Sequence, residues 1–322
     1  MGADLNEEQI IRSIWKKVRY RGRDPFDDDA SWVPSSPKKL LVAKCDMLVS
    51  FTDVPPSMSP AQIARKAVVS SVSDLAAKGA RPSYCMVSVG LPKKLTNRAF
   101  VQGLAEGFRE AEKEYRFKMI GGDTNATSKD LVIDVLLFGH ADSVVPRSGA
   151  RPGNLVAVSG DFGLQPSGLL LLLGKAVSDQ RFKKRATDSV LEPKARTDLT
   201  SLVGSRFTSC IDSSDGLALS LYHLAESSGV DLLFNKVPVA KGVKEFAAKN
   251  NLAAEDLALF GGEEFELVCT LDPADEKLVR RYGMKVIGRV IKRTGRRSKP
   301  SVTLNSKVLP RKGWVHFSFR RD

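Results

Sequence analysis

The chain has 322 residues, 42% hydrophobic and 27% charged, a composition that folds into globular structure and is long enough for two domains of ordinary size. Its longest apolar stretch, residues 168–174, is far too short to span a bilayer, and the polar N-terminus lacks the apolar core of a signal peptide, so the expectation is a cytoplasmic protein without a membrane partner. The net charge is +13, but the basic residues are spread along the chain with only two concentrations, at 183–185 and 292–297, which suits a surface that attracts anionic nucleotides better than a nucleic-acid site.

Residues 6–20 place Ile10, Ile11, Ile14, Trp15 and Val18 at helical spacing and predict an amphipathic helix. An acidic cluster, Asp27 to Asp29, follows. Leu40 to Ala43 is a short apolar strand running into Cys45-Asp46, and Pro55-Pro56 bends the chain. Ser59-Pro60 then starts a helix from Ala61 to Lys78, with proline in the first turn where its missing N–H costs nothing. Tyr84 to Val89 reads as a strand, Asn97 to Tyr115 as a helix, and Phe117 to Ile120 as a strand ending in Gly121-Gly122-Asp123-Thr124. Leu131 to Gly139 is a further strand, and the polar, Pro- and Gly-rich residues 140–153 read as a junction. The expected domains are 1–146 and 147–322. The second opens with a strand, Leu155 to Ser159, and a Gly160–Gly163 turn, with a helix from Ser167 to Leu173 and another that follows Ser214-Asp215-Gly216 and runs to about Ser227. Strands near 231–234, 266–271 and 285–290 complete it. Strand and helix alternate throughout, which predicts an α/β or α+β arrangement with helices packed on sheets.

The chemistry lies in six scattered acidic motifs: Asp27–Asp29, Cys45-Asp46, Ser73-Asp74, Gly121–Asp123, Asp212–Gly216 and Gly261–Glu264. In a basic chain these are not general surface charge. Magnesium binds through one or two carboxylates plus substrate phosphates, so an ATP site needs a few acids from different segments. Asp29, Asp46, Asp74, Asp123 and Asp212 stand at predicted segment ends, and the glycines before Asp123 would let backbone N–H groups face a phosphate. Taken singly, each motif reads more readily as a turn or, for Ser214 and Asp215, as a helix cap than as a metal ligand; the case rests on the set. There is no P-loop, no kinase HRD or DFG motif and no G-x-S-x-G elbow. The four cysteines, Cys45, Cys85, Cys210 and Cys269, form no CxxC pair and read as reduced thiols. No residue stands out as a covalent nucleophile. Phosphoryl transfer by this chain would rest on positioning and charge neutralisation.

In order, FDDDASWV (26–33), CDMLV (45–49), SVSDLAAKGARP (71–82), IGGDTN (120–125), RSGARPGNLVAVSG (147–160), IDSSDGLA (211–218), GGEEFEL (261–267) and KGWVHF (312–317) resemble the motifs of the thiamine-monophosphate kinase family, a branch of the aminoimidazole-ribonucleotide synthetase-like superfamily. The resemblance covers nearly the whole chain. It implies a two-domain fold whose N-terminal domain forms a dimeric β-barrel with a second subunit and whose C-terminal domain is α/β. It also implies a homodimer that uses ATP and several Mg²⁺ ions to convert thiamine monophosphate to thiamine diphosphate by direct in-line transfer. Asp29, Asp46, Asp74, Asp123 and Asp212 match magnesium ligands, Asp123 and Asp212 being the most critical, and Asp215 matches the holder of a further ion. Gly122, Asp123, Arg147 and Ser214 match ATP contacts; Glu263 and Trp314 match substrate contacts, and Trp314 is suited to stack on a cationic thiazolium.

This chain also departs from the family pattern. Lys44-Cys45 replaces a Ser/Thr pair before the metal-binding aspartate, and Asp53 replaces a substrate-contacting histidine. Ser71 replaces an asparagine, Glu264-Phe265 an Asp-Tyr pair, and Ser220 an aspartate. The metal–phosphate motifs are kept and the substrate pocket differs. That leaves two alternatives: a superfamily enzyme with another substrate, of amidoligase, cyclase or selenophosphate synthetase type, or a non-catalytic nucleotide- or nucleic-acid-binding protein.

Overall fold

Two open sheets organise the chain in a computed structural model that describes residues 7–15, 28–293 and 299–315. The first half runs α1 (Glu7–Trp15), β1 (Ser31–Ser36), β2 (Lys39–Val49), α2 (Ser50–Asp53), α3 (Pro60–Ala77), β3 (Arg81–Pro92), α4 (Arg98–Tyr115), β4 (Lys118–Thr127) and β5 (Val132–Ala141). The second runs β6 (Leu155–Val158), α5 (Leu164–Leu172), α6 (Gln180–Leu191), α7 (Thr200–Arg206), β7 (Phe207–Asp212), α8 (Leu217–Ser228) and β8 (Asp231–Phe234). It continues with α9 (Val243–Lys249), α10 (Ala254–Phe260), β9 (Leu267–Leu271), α11 (Glu276–Arg281), β10 (Lys285–Ile291), β11 (Val302–Leu304) and β12 (Lys307–Val308). The first sheet has five strands in the order β1-β2-β5-β3-β4, antiparallel except for the β3–β4 pair that α4 connects. The second has seven, β12-β11-β8-β10-β6-β9-β7, with only β11 and β8 parallel. Neither sheet closes on itself in the single chain.

The helix from residue 60 forms for the reason its sequence suggests. Ser59 and Gln62 make a reciprocal capping box and Pro60 occupies the first turn. It is buried along almost its whole length. Val68, Val72 and Leu75 pack in the core of the first sheet with Val42, Val87, Ile133, Val135 and Leu137. Ala77, at its end, belongs to a second-half core with Ala157, Leu199, Cys210 and Leu267. Phe265 and Ala195, from the second half, are buried in turn in the first core. Thus α3 sits where the two halves meet.

Two segments differ from expectation. The short strand at Leu40–Ala43 is an eleven-residue strand that passes through Cys45-Asp46 to Val49. Pairing with β5 over its whole length, from Leu40–Ala141 to Val49–Val132, carries it through polar residues that break the apolar run. The Gly121-Gly122-Asp123 motif lies inside β4, paired with Met86 to Ser88, rather than in a turn after a strand. Glycine is tolerated because β4 is an edge strand, and at Gly122 it is required, since a Cβ there would lie 1.9 Å from the Val87 carbonyl oxygen. β1, which carries Pro34, lies at the other edge of the sheet, where a residue without an N–H is tolerated. At the N-terminus, α1 is described over Glu7–Trp15, and Val18 lies outside the described residues, as does Asp27.

The sheet face away from α3 is open and mixes exposed apolar side chains with Asp123 and Asp134. Met47 on β2, Tyr84 and Met86 on β3 and Ile120 on β4 are all exposed, Met47 by 63%. No helix among the described residues is long and apolar enough to cross a membrane.

Candidate active site

One helix supplies the spine of the candidate site. Lys66, Ser70, Ser73, Asp74 and Lys78 recur every three to four residues, so they line one side of α3 and its cap. Each reaches a different segment. Lys66 Nζ lies 2.5 Å from Glu263 Oε1 and donates to the Asp53 carbonyl at 2.6 Å. Ser70 Oγ donates to Asp46 Oδ2 at 2.6 Å, and Ser73 Oγ to Asp212 Oδ2 at 2.7 Å. Asp74 Oδ2 pairs with Lys44 Nζ at 2.8 Å. Lys78, fully buried, donates to Asp28 Oδ1 at 2.6 Å and to the Cys210 carbonyl at 2.7 Å.

Around this spine Asp29, Asp74 and Asp212, all buried, bring one carboxylate oxygen each to within 4.8 Å of the others. Arg147 clasps Asp29: Nε donates to Oδ1 at 2.6 Å, and Nη2 contacts the same oxygen. Lys78 Nζ lies 2.8 Å from Asp29 Oδ2, so this buried carboxylate is held by a cation on each oxygen. Lys44, inward-facing on β2, also reaches Asp46 at 3.4 Å. Five carboxylates (Asp28, Asp29, Asp46, Asp74 and Asp212) thus face three cationic side chains (Lys44, Lys78 and Arg147).

The surplus of acid shows in the electrostatics. Burial, reinforced by Asp212, Asp46 and Asp29, pushes Asp74 well above the usual carboxylate range despite Lys44. Burial, then the Asp29 charge, raises Asp212 to about 6. Burial acts the same way on Asp29, but Arg147 and Lys78 outweigh it and hold that group below its ordinary value. Protons and divalent cations compete for such buried acid. An all-oxygen donor set of three buried, converging carboxylates fits a hard cation such as Mg²⁺.

Beside the cluster, the segment after β7 is braced by backbone bonds. Glu263 N donates to the Ser214 carbonyl at 2.6 Å, Phe265 N to that of Ser213 at 3.0 Å, and Trp314 N to that of Asp215 at 2.9 Å. These bonds gather Ser214, Asp215, Glu263 and Trp314. They also hold Glu263 (φ 62°) and Phe265 (φ 52°) in the left-handed region, a strained state for such side chains. The residue that caps α8 is Gly216 (φ 110°), so neither Ser214 nor Asp215 is that cap. Ser220, the replacement for an aspartate, is buried and donates to the Asp212 carbonyl at 3.3 Å. Ser213 Oγ is buried without a hydrogen-bond partner.

The structure therefore joins Asp29, Asp46, Asp74, Asp212 and Arg147, and places Ser214, Asp215, Glu263 and Trp314 next to one another. Asp53 reaches this group only through Lys66, and its own Oδ2 accepts from Val49 N at 2.7 Å. Gly122 and Asp123 are not brought in. The register aligns Asp123 with Ser88 and Asp134, whereas Asp46 aligns with Val135 and Val87, so Asp123 belongs to the opposite face of the sheet. His316 and Phe317 lie outside the described residues. Sequence reasoning gave no role to Lys66, Ser70 and Lys78, and none of their own to Asp28 and Ser73 within the Asp27–Asp29 and Ser73-Asp74 motifs; the polar period along a helix buried nearly throughout was the signal for Lys66, Ser70, Ser73 and Lys78. A surface recess of about 390 Å³ lined by Arg109, Glu112, Lys113, Arg116, Phe117 and Lys118 contains none of these residues.

Glu264 provides a test of this region by pH. Its Oε1 accepts from Gly163 N at the start of α5, yet burial raises its pKa to about 8 from an ordinary 4.5. A folded-state pKa above the unfolded one means that the folded protein holds the proton more tightly. Stability then falls as pH rises from 4.5 towards 8. Glu264→Gln keeps the acceptor and cannot ionise, so its urea midpoint should decline less than the wild-type midpoint across that range. Parallel declines would show that Glu264 does not titrate there.

A family model described as AIR synthase related protein, N-terminal domain, matches residues 27–141. The thiamine-monophosphate kinase of Nitrosopumilus maritimus is 38% identical over 97% of this chain and 99% of its own length. That of Pyrococcus horikoshii is 34% identical over 97% and 96%. A solved structure described as AaThiL complexed with AMPPCP and TMP superposes with a TM-score of 0.89 at 29% identity, covering 98% of this chain and all of the other.

Proposed function

The chain belongs to the thiamine-monophosphate kinase family, and from that premise we propose that it transfers the γ-phosphate of ATP to thiamine monophosphate, giving thiamine diphosphate and ADP. The observation that carries the reading in this molecule is the buried Asp29–Asp74–Asp212 cluster framed by Arg147 and Lys78. Such a site neutralises and aligns phosphates, and direct in-line transfer asks for little else.

Asp29, Asp74 and Asp212, with Asp46 and Asp215 beside them, would hold Mg²⁺, which when bound supplies neutralisation of phosphate charge. Arg147, with its forked guanidinium, and Ser214 face the ATP phosphates. Gly122 and Asp123, on the exposed edge strand, would serve ATP, and Asp123 would contribute a carboxylate to Mg²⁺. Glu263 and Trp314 contact thiamine monophosphate, Trp314 by stacking. Lys66 fixes Glu263 for that contact, and Asp53, where the family pattern has a histidine, sets the turn at the substrate pocket through Val49 and Lys66.

The open face with Met47, Tyr84, Met86 and Ile120 supports a homodimer in which two such sheets close a barrel. Residues 1–146 form the ATP-binding and dimerisation domain and 147–322 the α/β domain, in a cytoplasmic enzyme. Purified protein given ATP, Mg²⁺ and thiamine monophosphate should yield thiamine diphosphate and ADP in equal amounts. ADP without thiamine diphosphate would end the substrate assignment, and a monomer mass by sedimentation would end the dimer.

A further inference from the structure

The three cations of the cluster are not shared evenly among its acids. Asp29 is paired with both Lys78 and Arg147. Asp46 and Asp74 share one partner, Lys44, whose Nζ lies 3.4 Å from the first and 2.8 Å from the second. Among the described residues Asp212 has no ion-pair partner and accepts only the Ser73 hydroxyl at its carboxylate. Two carboxylates converging from a strand and a helix on one point are what a divalent ion asks of a protein when phosphates complete its shell. Here that point is filled by an ammonium. Lys44 reaches it because it lies on the inward face of β2, two residues before Asp46, where the register aligns it with the buried Leu137. The position where the family pattern carries a small hydroxyl side chain thus carries a tethered positive charge.

We infer that the Lys44 ammonium takes the place of a divalent cation between Asp46 and Asp74, so that this chain binds one divalent ion fewer than its carboxylates would otherwise hold. The inference rests on the metal–ATP reading of the site. A lysine supplies one positive charge where a divalent ion supplies two, so the phosphates are held less strongly at this point. In exchange the charge is permanent, and occupancy there does not depend on the free metal concentration. The ions that remain exchangeable are those at Asp212 and on the nucleotide.

The test counts ions without turnover. Wild-type protein, Lys44→Thr and Lys44→Arg are titrated with Mn²⁺ in the presence of a non-hydrolysable ATP analogue, and bound Mn²⁺ is measured by electron paramagnetic resonance. Lys44→Thr should bind one Mn²⁺ more per chain than wild type, and Mn²⁺ should raise its melting temperature by more. Lys44→Arg, which keeps the charge, should retain the wild-type count. Lys39→Thr alters an exposed lysine of the same strand, paired with Asp142 at 2.7 Å, and should also retain it. Equal counts for Lys44→Thr and wild type, or an extra ion in Lys44→Arg or Lys39→Thr, overturn the inference. If Lys44→Thr folds only when Mn²⁺ is added, that supports the same conclusion. The two readings fail separately. Equal ion counts in a protein that makes thiamine diphosphate sink only the role of Lys44. Shifted counts in a protein that makes none sink only the kinase.

Discussion

Asp212→Asn should give a folded protein, at least as stable as wild type, whose turnover falls on the order of 10³-fold, the equivalent of about 4 kcal/mol of lost transition-state stabilisation. The two halves of this result have one cause. Asp212 is a buried carboxylate whose charge is opposed by burial and by Asp29, which is why its pKa rises to about 6. Asparagine removes that charge and keeps an oxygen for the Ser73 hydroxyl, which now donates at 2.7 Å. The fold therefore loses a repulsion and no hydrogen bond. The reaction loses one of three carboxylates positioned to share a cation. Steady-state kinetics at saturating ATP and Mg²⁺, beside thermal melts, test both halves. Turnover within tenfold of wild type would remove Asp212 from the metal–phosphate machinery. A large fall in melting temperature would show that its charge stabilises the fold rather than strains it.

Lys78→Met has the opposite character and should cost about 3–5 kcal/mol of folding stability, the usual consequence of removing one side of a buried ion pair. Lys78 Nζ touches Asp28, Asp29 and the Cys210 carbonyl from a position without solvent exposure. Methionine fills much the same space but leaves two carboxylates with less compensation. The effect depends on pH in a defined direction. In wild type, Arg147 and Lys78 hold the Asp29 pKa below its ordinary 3.8 against the effect of burial. Stability from that depression is present above 3.8 and lost as pH falls through the folded-state value. The gap between wild type and Lys78→Met should thus be widest near neutrality and narrow in acid. Urea denaturation at a series of pH values measures it. A gap that stayed constant, or stayed below about 1 kcal/mol, would mean that Arg147 alone compensates Asp29.

Much of this was legible in the sequence, for local reasons. Ser59-Pro60 announces α3 because capping chemistry depends on neighbours in the chain. The strands at 155–159, 231–234 and 266–271 read correctly because both their faces are apolar. The acids of the site were visible because each stands out against a basic, apolar background. Their grouping was not visible. Asp46 comes from the middle of a strand fixed by partner residues some 90 positions away, and Asp123 belongs to a face set by the β3–β4 register. The lysines were missed because lysine is ordinarily a surface residue, and only the helical period of 66, 70, 73–74 and 78 within an apolar helix argues against that. Ser214 and Asp215 looked like helix caps because the sequence cannot reveal that Gly216 takes that position.

The single helix that carries these contacts also bears on how the sequence can change over time. Lys44, Asp46, Ser70 and Asp74 form one closed set of partners across β2 and α3. A substitution at any one of them alters the charge balance felt by the other three, so their effects will not add. If Lys44 stands in for a divalent ion, a neutral residue at 44 would leave Asp46 and Asp74 dependent on a bound cation. The effect of a change at 44 would then depend on the divalent metal available and on which of its three partners had already changed.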